Sequence, residues 1–129
     1  MAVLGLTNNG VWQHLRALED GPEGLLIRGT LPVDANGVEL MLEHWDQGTS
    51  EPKHYHPGDD MTIVMEGMMV VQCYRQQEGK WVADGSERVY RQGETAYLKA
   101  QQVHSVRYSE ACKLVYIHDG QFDFIEVNA

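Results

Sequence analysis

His54 and His56 stand one residue apart in the run between Gly48 and Gly67, and they hold the chain's clearest chemical signal. Side chains on an extended strand alternate with period two, so both imidazoles face the same way. A Pro57-Gly58 turn follows, then the carboxylates Asp59 and Asp60, while a third histidine, His104, lies in a separate strand-like segment. Imidazoles and a carboxylate on one face are what a protein offers to a borderline divalent metal. Parity selects Asp60 over Asp59, because Asp60, Thr62 and Val64 would share the inward face of the next strand, with Asp59, Met61 and Ile63 facing away.

The elements that must position these groups are short. Turn signals recur about every ten residues, at Asn36-Gly37, Gln47-Gly48, Pro57-Gly58, Glu66-Gly67, Glu78-Gly79, Asp84-Gly85, Gln92-Gly93 and Asp119-Gly120. Between them lie runs rich in β-branched and aromatic residues: Val38–Trp45, Met61–Met65, Met68–Arg75, Val103–Tyr108 and Cys112–His118, with Gly24–Thr30 as a further strand. Many short strands at even spacing predict an all-β sandwich or barrel. Lys80–Ala83 and Glu87–Arg91, flanking Asp84-Gly85-Ser86, read as a hairpin. Val11–Glu19 is the one helical candidate. Gln121–Val127 alternates weakly and suits a sheet edge or an exchange with a partner chain, which predicts a homodimer.

The 129 residues suit a single domain over 1–129, with the motif-bearing core at about 38–118. A net charge of −9 with scattered basic residues lacks the basic patch that nucleic acid requires, and an anionic membrane surface would repel it. Residues 1–10 have neither the basic start nor the apolar run of a signal peptide, and no segment is long enough to span a bilayer. Cys73 and Cys112, far apart and without Cys-x-x-Cys spacing, read as buried free thiols in a reducing cytoplasm.

The spacing resembles the cupins. Their first motif runs Gly, five residues, His-x-His, three or four residues, Glu, six residues, Gly; Gly48, His54, His56, Asp60 and Gly67 match every gap, with Asp60 in place of the usual Glu. Their second runs Gly, five residues, Pro-x-Gly, two residues, His, three residues, Asn. Gly93 and His104 match it in register, but Lys99, Gln101 and Tyr108 stand where Pro, Gly and Asn are usual. The resemblance implies a double-stranded β-helix, the jelly-roll barrel, with His54, His56, Asp60 and His104 as ligands of one divalent metal. Iron suits this set best; manganese, nickel or zinc also fit. Aspartate is one methylene shorter than glutamate and falls short by about 1.5 Å. Asp60 therefore ligates after a strand shift, acts through water, or leaves a three-histidine site.

Cupin enzymes include dioxygenases, isomerases, decarboxylases and hydrolases, so the fold selects no reaction. The leading expectation is a metal-dependent enzyme, dioxygenase-like, acting on a small molecule. Its alternatives are a non-catalytic ligand-binding or sensing domain and a metal-independent sugar isomerase or epimerase. Tyr108, four residues after His104, is a candidate to supply a proton or orient substrate, against the commoner role of core packing. His14, His44 and His118 read as satisfied polar residues, with His44 and His118 also eligible to support the ligands. Met61, Met65, Met68 and Met69 read as core filler.

Overall fold

Short β-rich runs broken by glycine turns leave strands as the available regular structure. The computed structural model describes residues 12–30 and 37–128. Its strands are β1 Leu25–Thr30, β2 Val38–Trp45, β3 Ser50–Tyr55, β4 Asp60–Glu66, β5 Met68–Gln77, β6 Lys80–Ala83, β7 Arg88–Arg91, β8 Thr95–Leu98, β9 His104–Arg107, β10 Cys112–Asp119 and β11 Ile125–Glu126. They form two antiparallel sheets, ordered β1-β2-β10-β4-β8 and β11-β3-β9-β5-β6, with β7 also paired to β5. This is the jelly-roll barrel, and the core lies between the two sheets. Val64, Met69, Val71, Val106 and Leu114 belong to one buried cluster drawn from both.

Alternation on β4 decides which residues reach the interior. Asp60, Thr62 and Val64 are buried, Met61 is exposed and Ile63 half-buried, as the parity argument requires. Gly67, between β4 and β5, takes φ +86°, a region that L side chains rarely adopt. A Cβ there would collide with the Ala111 carbonyl, so both backbone angle and space demand glycine.

Two expectations are corrected. Residues 12–19 form a turn instead of a helix, and Arg16 bridges to Ile27 of β1 through paired backbone hydrogen bonds; Val11 lies outside the described residues. Pairing with an open strand satisfies backbone groups that a helix of only about two turns would leave bare at its ends. The expected β6–β7 hairpin does not form either. Both strands lie on β5, β6 along Tyr74–Gln77 and β7 along Met68–Val71. Asp84–Glu87 carries the chain onward along β5 without reversing it, and the real hairpin turn is Glu78-Gly79. A ten-residue β5 is long enough to take two four-residue partners end to end.

Candidate metal centre

β3 and β9 are antiparallel neighbours, and their register sets His54 directly opposite His104. His56 follows just beyond the end of β3. The ligand atoms of His54, His56 and His104 all lie within 4.8 Å of one another, and all three residues are buried. Each ring is fixed by the backbone through its other nitrogen. His54 Nδ1 lies 2.6 Å from the Pro52 carbonyl, His56 Nδ1 2.8 Å from the Asp123 carbonyl, and His104 Nδ1 2.9 Å from the Gln102 carbonyl. A carbonyl only accepts, so each Nδ1 carries the hydrogen and each Nε2 presents a bare lone pair.

The donor set fits a metal ion. Nε2 of His54 and Nε2 of His56 approach to 3.2 Å. Two acceptors at that distance repel unless a cation lies between them, and backbone carbonyls behind the rings are the usual support of metal-ligating histidine. Burial, reinforced by the neighbouring imidazoles, lowers His54 to about 3 and His56 to about 4; burial also lowers His104. All three therefore stay neutral at physiological pH, as ligation requires.

Phe124 stacks on His54 with ring centroids 4.0 Å apart, and Phe122 packs against His56 at 4.9 Å. The segment after β10 thus covers the histidines and supplies the carbonyl that holds His56. The sequence marks Gln121–Val127 as a sheet edge or a segment exchanged with a partner chain, with nothing to place it over the histidines. Phe122 and Phe124 carry no spacing signal that would have marked them.

Asp60 points inward from β4 but is not in the set drawn together within 4.8 Å. Its Oδ2 accepts a 2.9 Å hydrogen bond from the Tyr116 hydroxyl, and burial raises its pKa to about 6 despite that bond. Asp59 is exposed and accepts from the Tyr97 hydroxyl and the Ala100 backbone N–H. His118 lies opposite Asp60 in the β10–β4 register. Its Nδ1 faces the Gly120 carbonyl at 2.9 Å and its Nε2 accepts from the Gly58 N–H at 3.1 Å, so both nitrogens are committed to the backbone. His14 is exposed, and His44 stands 3.9 Å from Asp46. Both cysteines are free.

A second carboxylate group lies nearby that spacing did not predict. Regular alternation would turn Glu51 to the face opposite His54, yet the β3–β9 register shifts between these two residues. Glu51 Oε1 comes within 3.6 Å of His54 Nε2. Its Oε2 accepts a 2.7 Å hydrogen bond from Tyr108, whose ring stacks on Trp45 at 4.6 Å; Trp45 Nε1 in turn donates to Glu43 at 2.8 Å. Burial is the main cause that lifts Glu43 to about 8 and Glu51 to about 7. Tyr108, buried and beside these acids, is held well above the usual phenol range, which makes its hydroxyl a hydrogen-bond donor that keeps its proton. These groups border a cavity of about 540 Å³ inside the barrel, which His56, His104, Asp60 and Tyr116 also line.

Residues 41–118, more than half of the chain, match the family described as the cupin domain. The chain belongs to the cupin family. Solved structures agree with this cupin's fold. A cupin superfamily protein from Desulfitobacterium hafniense is 15% identical, with 81% of this chain and 84% of that one covered at a TM-score of 0.62. A conserved protein of unknown function from Streptococcus pyogenes is 19% identical over 99% of this cupin and 90% of its own length, at 0.62. An oxalate oxidase is 21% identical over 86% of this chain and 59% of that chain, at 0.63. A salicylate 1,2-dioxygenase from Pseudoaminobacter salicylatoxidans is 13% identical, at 0.58, with only 25% of its chain covered. No curated protein matches. Among the described residues no helix is long and apolar enough to cross a membrane.

Proposed function

We propose that this cupin is a metal-dependent enzyme of dioxygenase type, acting on a small organic molecule held in the barrel cavity beside the three histidines. The observation that carries the reading is the convergence of three neutral, backbone-fixed Nε2 lone pairs within 4.8 Å. The similarity to an oxalate oxidase and a salicylate 1,2-dioxygenase supports an oxidative reaction only through the shared fold.

When bound, a redox-active divalent metal such as iron supplies Lewis-acid and dioxygen chemistry. The protein's own residues provide the rest. His54, His56 and His104 hold the ion without adding charge. Phe122 and Phe124 shield two of the three rings from water. Asp60, fixed by Tyr116, offers a carboxylate inside the barrel for direct or water-mediated contact with the ion. Tyr108 keeps Glu51 aimed at the site. The reading includes a homodimer, for which the short terminal strand β11 on a sheet edge is the support.

The test is oxygen uptake by anaerobically iron-loaded protein across a panel of small aromatic and aliphatic compounds, beside a His54→Ala control. Uptake that needs both the compound and His54 is expected. Stoichiometric capture of a compound without oxygen uptake would replace this reading with a ligand-binding domain.

A further inference from the structure

The two sheets differ in what they turn outward. On the sheet that holds β3, β9 and β5, the outward groups are polar and engaged with one another. Tyr74 shares a 2.8 Å hydrogen bond with Ser105, Lys53 lies over the Tyr74 ring, and Arg107 pairs with the exposed Glu87. On the sheet ordered β1-β2-β10-β4-β8 the outward groups are apolar. Its register sets Leu42, Val115 and Ile63 in one outward row, and Ile117, Met61 and Tyr97 in the next. Leu42 and Val115 are buried, Ile63 and Ile117 half-buried, while Met61 and Tyr97 stay 40% and 53% exposed. An antiparallel sheet with one face in water alternates apolar with polar residues. Here Leu40-Met41-Leu42, Ile63-Val64-Met65 and Leu114-Val115-Tyr116-Ile117 are unbroken apolar runs, the pattern of strands covered on both faces.

We propose that this outward face receives a second copy of the chain, packed sheet against sheet about a two-fold axis. The inference rests on the homodimer included in the function reading and names the surface through which it forms. Charge is the first argument for a second copy. The chain carries −9, so two copies repel over most of their surface. This face is balanced, with Arg28 and Lys113 set against Glu66 and Asp119, and Lys113 lies 3.3 Å from Glu66. Size is the second. Five strands at about 4.8 Å each, over roughly 20 Å of strand length, give on the order of 500 Å² per copy before side-chain relief is counted. Two such faces reach the total of about 1,000 Å² that a specific interface needs. A two-fold contact uses the same patch on both copies, so an apolar sheet face serves as its own complement and the assembly closes. β11 belongs to the other sheet, which makes this interface separable from an exchange through that strand.

Sedimentation velocity over the micromolar range reads the assembly in wild type, Met61→Glu, Ile63→Glu, Met61→Leu and Ile125→Pro. Wild type is expected to sediment with the mass of two chains. Either glutamate would bury a charge in the apolar contact and is expected to weaken the dimer by at least about 100-fold. Met61→Leu keeps the surface apolar and should remain dimeric, as should Ile125→Pro, which places a proline on the edge strand β11. Circular dichroism checks folding; should Ile63→Glu unfold, Met61→Glu at its exposed position still reads the interface. A dimer that survives both glutamates, or that Ile125→Pro alone dissolves, would overturn this inference and keep the homodimer. A monomeric wild type would remove both together. Zinc content of the same samples tests the metal reading separately from either result.

Discussion

Two sets of polar groups in the barrel interior, a histidine set and an acidic set, are held by different means. On the histidine side, three imidazoles are tied through Nδ1 to backbone carbonyls at Pro52, Asp123 and Gln102. On the acidic side, Glu43, Glu51 and Asp60 are tied to the side chains of Trp45, Tyr108 and Tyr116. Backbone ties fix each ring's orientation and keep the Nε2 atoms convergent, while burial keeps the three histidines neutral. Side-chain ties hold carboxylates that burial has moved towards their protonated form. The first arrangement suits a resident cation, and the second suits a wall that meets a ligand.

The largest effect should follow from breaking the histidine side. His104→Ala removes one of three imidazoles and is expected to weaken metal binding by more than about 100-fold, read by chelator competition, with the circular dichroism spectrum unchanged. Asp60→Asn is expected to cost only about tenfold in the same assay, as for a group that supports the ion from outside. Equal losses for the two variants would erase the distinction between the two sides.

A smaller effect concerns pH. Glu43 has a folded-state pKa of about 8 against an ordinary 4.5, raised chiefly by burial and then by Glu51. The folded state therefore holds a proton that the unfolded chain releases, so Glu43's contribution to stability is complete below about pH 4.5 and fades as pH rises through about 8. Glu51 and Asp60 act in the same direction. Thermal melts from pH 5 to 9 should fall less steeply for Glu43→Gln than for wild type, and parallel curves would count against a buried, protonated Glu43. The smallest effect is expected from Phe124→Ala, which removes the ring stacked on His54 and should cost about 1 kcal/mol of stability by urea denaturation.

Spacing made one side of this interior legible and left the other hidden. His54, His56 and Asp60 are read through strand parity, and His104 through its place in the second motif, because β-strand periodicity is local. The same local logic gave the strands near residues 25–30, 38–45, 61–65 and 112–118. It failed at Glu51, where a register shift turns a residue of the wrong parity towards His54. It also failed at β6 and β7, since Asp84-Gly85-Ser86 looks like a reversal and only the length of β5 shows that two partners fit along it. Phe122, Phe124 and Glu43 act across sequence separations that no short pattern records. The Tyr108 ring was placed as packing or as a catalytic aid. It packs on Trp45 and also orients Glu51.

The central claim is that the three Nε2 atoms hold one divalent metal ion. Crystals of protein loaded with iron, and separately with zinc, should be measured at and below each metal's absorption edge. A single anomalous peak among Nε2 of His54, His56 and His104, present in wild type and lost in His54→Ala/His104→Ala, is the predicted result. An empty triad in fully loaded crystals, or a peak that survives in His54→Ala/His104→Ala, would contradict it.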